Sequence, residues 1–120
     1  MHRVLIADDE RLFGEALEMI LATDGRIEVV GRALDGDQAV ALARELQPDV
    51  VLMDLSMPGL DGFRAIEEIL ADGGNRRVLV LSGSADPDDI ARAQQAGAWG
   101  YLMKENIAED LVTRVLEAAD

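Results

Sequence analysis

A chain of 120 residues fits one compact domain, and with 49% hydrophobic residues it carries enough apolar material for a core. Its 24 acidic residues against 11 basic give a formal net charge of −13, which argues against direct binding of nucleic acid or an anionic membrane and favours basic proteins and divalent cations. The absence of cysteine excludes disulfides, thiolate metal sites and cysteine nucleophiles.

Met1-His2-Arg3 leads into a first short apolar run, Val4 to Ala7. That run is too short for a secretory signal, and no stretch approaches the length of a membrane span, so a cytoplasmic protein is expected, with His2 an exposed terminal residue. Leu12, Phe13, Ala16, Leu17, Ile20 and Leu21 then recur at helical spacing, with Glu15 and Glu18 outside the stripe. A second run, Ile27 to Val30, precedes a helix marked by Ala39, Leu42, Ala43 and Leu46, with Asp35 and Gln38 at capping-box spacing. The third run, Val50 to Met53, precedes a stripe of Phe63, Ile66, Ile69 and Leu70 capped by Asp61. After the fourth run, Val78 to Leu81, the segment from Asp88 to Ala96 has Ile90 as its one large apolar residue; Asp86-Pro87 reads as an N-cap followed by proline at the first helical position. The fifth run, Gly100 to Met103, is followed by Ile107, Leu111, Val115 and Ala119, with Asn106 and Glu109 spaced as a second capping box. Near-continuous apolar runs alternating with amphipathic segments imply an α/β fold, its parallel sheet covered on both faces and joined by right-handed crossovers.

The chemistry lies in what ends each run: Asp8-Asp9 after the first, Asp54 after the third, Ser82 after the fourth and Lys104 after the fifth. In a parallel sheet these strand ends emerge on one edge, where open α/β folds bind ligands. Two like charges about 4 Å apart cost roughly 4 kcal/mol at an effective dielectric of 20, so gathered carboxylates need a cation. Oxygen-only ligation favours Mg²⁺ over Zn²⁺. Lys104 adds a point charge suited to phosphate oxygens and Ser82 a hydroxyl donor. The edge therefore reads as a phosphoryl site in which a carboxylate can be the nucleophile. Taken singly these residues have plainer readings: Asp8 and Asp9 as caps of the first helix, Ser82 as a solvated strand end, Tyr101 as a half-buried strand aromatic. Trp99 reads equally as core edge or output surface. It is the joint placement that favours a site.

Asp8-Asp9-Glu10, the stretch Met53-Asp54-Leu55-Ser56-Met57-Pro58-Gly59-Leu60-Asp61-Gly62, Ser82, and Gly100-Tyr101-Leu102-Met103-Lys104 resemble the response-regulator receiver domain of the CheY-like superfamily. The resemblance covers essentially the whole chain, 1–120, as one domain. It implies a flavodoxin-like (βα)5 three-layer sandwich with a central five-stranded parallel sheet of order 2-1-3-4-5. It further implies that Asp54 accepts a phosphoryl group from a sensor histidine kinase. Asp9, Asp54 and the backbone carbonyl of Ser56 would bind Mg²⁺, with Asp8 holding metal-bound water. Lys104 would pair with a phosphoryl oxygen, Ser82 would act as the switch hydroxyl, and Tyr101 would turn inward with it. The face of helix 4, strand 5 and helix 5 would then bind or homodimerise differently. Such a domain is a switch that assists its own phosphorylation and dephosphorylation, and not an enzyme acting on other molecules.

Two departures narrow the resemblance. Glu105 follows Lys104 where many receivers have a cis proline, which favours a trans bond here and resembles the NarL/FixJ-type subfamily. That subfamily is usually fused to a helix-turn-helix DNA-binding domain, so transcriptional output through a domain outside this chain is expected. Gly83 stands where alanine is more frequent. Other readings weigh less. A haloacid-dehalogenase-like phosphatase expects a second Asp where Ser56 stands, and a flavin carrier expects a hydroxyl- and glycine-rich loop after strand 1. A phosphorylation-independent pseudo-receiver does not need the intact Asp54 and Lys104.

Overall fold

A computed structural model describes residues 1–120. Strands and helices alternate throughout: β1 (His2–Ala7), α1 (Arg11–Leu21), β2 (Ile27–Ala33), α2 (Gly36–Leu46), β3 (Val50–Asp54), α3 (Gly62–Ala71), β4 (Arg77–Ser82), α4 (Pro87–Ala96), β5 (Gly100–Met103) and α5 (Ile107–Ala119), with a 3-10 turn at Lys104–Asn106. The strands form one parallel sheet in the order β2-β1-β3-β4-β5, as the resemblance implies.

The two-residue period of each strand divides the core between the faces. Val4, Ile6, Val50, Leu52, Leu79 and Leu81 pack with α1 and α5. Leu5, Ala7, Val51, Met53, Val78 and Val80 pack with α2, α3 and α4. Burial on both faces explains why the sequence of these strands reads as unbroken apolar runs. α4 is the least anchored helix, with Ala93 its one buried residue. No helix is long and apolar enough to cross a membrane.

Three local expectations change. β1 begins at His2, whose N–H donates to the Arg26 carbonyl at 2.7 Å, so His2 belongs to the sheet and is only partly exposed. β2 runs on through Gly31-Arg32 to Ala33, past the apolar run. It is an edge strand, so polar residues fit there: the Arg32 guanidinium lies over Gly14 of α1 and donates to the Arg11 carbonyl at 2.8 Å. Finally, Asn106 makes no side-chain cap for α5; the 3-10 turn supplies the helix entry instead. Asp35, Asp61 and Asp86 do cap α2, α3 and α4, accepting from the N–H groups of Gln38, Phe63 and Asp88. The Lys104–Glu105 bond is trans, as are all the others. Trp99 lies at the core edge, half-buried against the α1/α5 side, with the Arg114 guanidinium 5.4 Å from its ring centroid.

Candidate functional site

Strand register brings the polar ends together. β1 and β3 are neighbours in which Ala7 pairs with Met53, so Asp8 and Asp54 leave the sheet side by side. Asp54 pairs with Leu81, and Ser82 with Met103, which sets Ser82 and Lys104 at the same edge. Asp8, Asp9 and Asp54 each offer a carboxylate oxygen within 4.8 Å of the others. Asp8 and Asp54 are each only 2% exposed, whereas Asp9 is exposed.

Each buried carboxylate has one oxygen held and one left over. Asp8 Oδ1 accepts from the Glu10 N–H at 2.8 Å, and Asp54 Oδ1 from the Ser56 N–H at 3.1 Å. Asp8 Oδ2 and Asp54 Oδ2 are buried and accept no hydrogen bond. Lys104 Nζ stands 3.6 Å from Asp8 Oδ2, 3.5 Å from Asp54 Oδ2 and 3.9 Å from Glu10 Oε1. Burial raises the Asp8 carboxyl above its ordinary value; repulsion from Asp54 adds to this, while the Glu10 N–H and Lys104 oppose it. One ammonium thus faces several carboxylates, and the surplus negative charge with two orphaned oxygens suits a hard divalent cation. The residues present fit Mg²⁺.

Asp8 accepts from Glu10 but does not cap α1, whose N-cap position is Glu10 itself. That removes the plainer reading of the acidic pair. Ser82 is buried at the end of β4, and its Oγ accepts the Ser84 N–H at 3.1 Å. It makes no hydrogen bond to Asp54 or Lys104. Tyr101 lies one strand away, half-buried, and its hydroxyl donates to the Ser84 carbonyl at 2.8 Å. Both residues converge on Ser84, which sequence reasoning missed. The repeated spacing of Ser82, Ser84 and Asp86, in which each side chain accepts the N–H two residues on, is a signal that could have found it.

Comparison with known proteins fits this geometry: the response regulator receiver domain family matches residues 4–116. The chain belongs to that family. It is 38% identical to the transcriptional regulatory protein LiaR of Bacillus subtilis over 119 residues, 99% of this chain and 56% of that protein. The signal receiver domain of NarL from Mycobacterium tuberculosis superposes with a TM-score of 0.93 at 37% identity, covering 98% of this chain and 94% of that one. CheY of Borrelia burgdorferi, solved in complex with CheX, BeF3 and Mg²⁺, gives a TM-score of 0.88 at 26% identity over 96% of this chain and 87% of its own. The receiver chain spans about half the length of the curated relatives it matches. The resemblance to NarL-type regulators therefore stands, and the phosphatase and flavin-carrier readings fall away.

Proposed function

We propose that this receiver is a phosphorylation switch in which Asp54 takes a phosphoryl group from a phosphohistidine of a sensor histidine kinase. The observation that carries the reading is Asp54 Oδ2: buried, free of hydrogen bonds, and 3.5 Å from Lys104. With Oδ1 held by the Ser56 N–H, Oδ2 is the available nucleophile. Its lone pair forms the O–P bond as the P–N bond breaks, the bonding electrons pass to the imidazole nitrogen, and the product is an aspartyl phosphate. Lys104 pairs with a phosphoryl oxygen. Asp9, Asp54 and the backbone carbonyl of Ser56 would hold Mg²⁺, with Asp8 acting through water; when bound, the ion neutralises phosphoryl charge and relieves carboxylate repulsion. The Mg²⁺ of the Borrelia CheY complex supports that choice.

Ser82 and Tyr101 form the switch. Because Ser82 Oγ only accepts, its own proton is free to donate to a phosphoryl oxygen. Tyr101 is tied to the same loop through Ser84. A shift there reaches α4, held by little buried surface, and so alters the α4–β5–α5 face. By analogy with the transcriptional regulators it resembles, that face controls transcription through a helix-turn-helix domain outside this chain, with homodimerisation as a second consequence. The strongly acidic receiver itself would touch neither DNA nor membrane, would act in the cytoplasm, and would catalyse no reaction on other molecules.

The test is intact mass after incubation with acetyl phosphate and Mg²⁺, for wild type and Asp54→Asn. A labile, Mg²⁺-dependent phosphoryl adduct lost in Asp54→Asn is the expected result. An adduct undiminished in Asp54→Asn overturns the assignment. Sedimentation of the phosphorylated form reads dimerisation.

A further inference from the structure

Nothing directional holds the Lys104 ammonium in place. It makes no hydrogen bond; its contacts with Asp8, Asp54 and Glu10 are ion pairs of 3.5–3.9 Å. The four-carbon stem is flexible, and a point charge surrounded by carboxylates has no preferred direction among them. Glu10 is the most exposed of the three, its side chain 69% accessible, so that pair draws the ammonium toward solvent. Yet the Lys104 side chain is only 21% exposed.

The remaining neighbour is aromatic. Lys104 Nζ lies over the ring of Phe13, 4.4 Å from its centroid, well inside the range in which the ring's negative face attracts a cation. Phe13 is itself fixed, packed against the α1/α5 side of the core on a helix whose Leu17 and Leu21 are fully buried. The contact gains strength because the ammonium is largely desolvated.

We propose that Phe13 is a positioning residue: its ring fixes the Lys104 ammonium beside Asp54 and Asp8, in the place where Lys104 meets the phosphoryl group. The inference rests on the phosphoacceptor reading of Asp54. The ring is suited to this because it is neutral. A divalent cation at the carboxylates competes with Lys104 for their charge, and so weakens the ion pairs, but it does not compete for the face of Phe13. With no net charge, the ring also repels an incoming phosphoryl oxygen far less than the Glu10 carboxylate does.

The test compares Phe13→Leu, which keeps an apolar side chain without a π face, with Phe13→Tyr, which restores the face. The initial rate of Asp54 phosphorylation from acetyl phosphate in Mg²⁺ should fall roughly threefold to tenfold in Phe13→Leu and stay within about twofold of wild type in Phe13→Tyr. In a Lys104→Ala background, Phe13→Leu should cost nothing further, because a residue acting through Lys104 has no effect once the lysine is gone. An unchanged rate in Phe13→Leu, or an equal loss in both backgrounds, overturns the proposal. The contact is read separately by NMR, without phosphodonor or Mg²⁺. The Lys104 ε-CH2 protons should be shifted upfield by the ring in wild type and Phe13→Tyr, and not in Phe13→Leu. Their absence from the upfield region in wild type also overturns it. A wild type that shows the shift but takes no phosphoryl group sinks the phosphoacceptor reading and leaves the Phe13–Lys104 contact standing.

Discussion

Asp54 repeats at the end of β3 the arrangement of Asp8 at the end of β1: in each, Oδ1 accepts the N–H two residues on, and Oδ2 is buried with no hydrogen bond. The backbone therefore orients both carboxylates identically and leaves one acceptor on each for something other than protein. A buried polar atom without a hydrogen bond costs about 1–3 kcal/mol. The single Lys104 ammonium shared between the two oxygens offsets this only in part, so the pair is a local loss of stability retained at the site.

Asp8→Asn should recover part of that loss. The folded-state pKa of Asp8 lies above its ordinary 3.8, because burial penalises the charged form. The native state therefore holds the proton to higher pH than the unfolded chain, and stability falls as pH rises through the ordinary value and on to the raised one. At neutral pH the ionised group is destabilising, and Asp8→Asn is expected to raise stability in urea unfolding. The gain should vanish below the ordinary value, where both states are protonated. A constant gain across pH would contradict a charge-based origin.

Mg²⁺ should stabilise the fold by binding the native cluster alone. At about 100 times its dissociation constant the gain is roughly 2.7 kcal/mol, visible as a rise in Tm by calorimetry. The rise should shrink strongly in Asp9→Asn and in Asp54→Asn. If Ca²⁺-free Mg²⁺ leaves the wild-type Tm unchanged, the carboxylates do not hold it.

Tyr101→Phe removes the donor to the Ser84 carbonyl and nothing of the ring's packing. Stability should drop by about 0.5–1.5 kcal/mol. Amide exchange should speed at residues 83–86 and remain unchanged in β1 and β3. Uniformly faster exchange would mean that the bond is not local in its effect.

Gly36→Ala should destabilise by roughly 1–3 kcal/mol, since a Cβ there collides with the Leu60 carbonyl, which is backbone and cannot swing aside. Leu60 belongs to the loop that leaves Asp54, so phosphorylation from acetyl phosphate should slow as well. Loss of stability without any change in rate would show that the loop and the site are uncoupled.

The fold was legible because strands buried on both faces have unbroken apolar sequences, and Val4 to Ala7 or Val50 to Met53 admit little else. β2 was read three residues short because an edge strand tolerates Gly31 and Arg32, whose acceptability depends on α1 offering Gly14 beneath the guanidinium. Asn106 shows a limit of spacing rules: the right residues at the right interval do not cap when a 3-10 turn already supplies the helix entry. At the site, Asp8, Asp9, Asp54 and Lys104 were readable from the ends of strands. Ser84 is hinted at by the Ser82-Ser84-Asp86 spacing, but its tie to Tyr101 runs through its backbone carbonyl, which no side-chain pattern marks. Phe13 is in sequence one of several apolar residues in a helical stripe, and only the fold sets its ring against Lys104.

α4 is sealed at both ends while scarcely attached along its length. Asp86 and Pro87 close its first turn, Gly97 closes the last in the left-handed conformation at φ 105, and Ala93 alone is buried beneath it. The end caps hold its turns together, while little buried surface fixes its seat on the sheet. On the switch reading proposed above, a displacement arising in the loop from Ser82 to Asp86 would be carried by α4 as a tilt or slide of the whole helix, and a partner would sense a changed angle on a surface whose own composition stays the same.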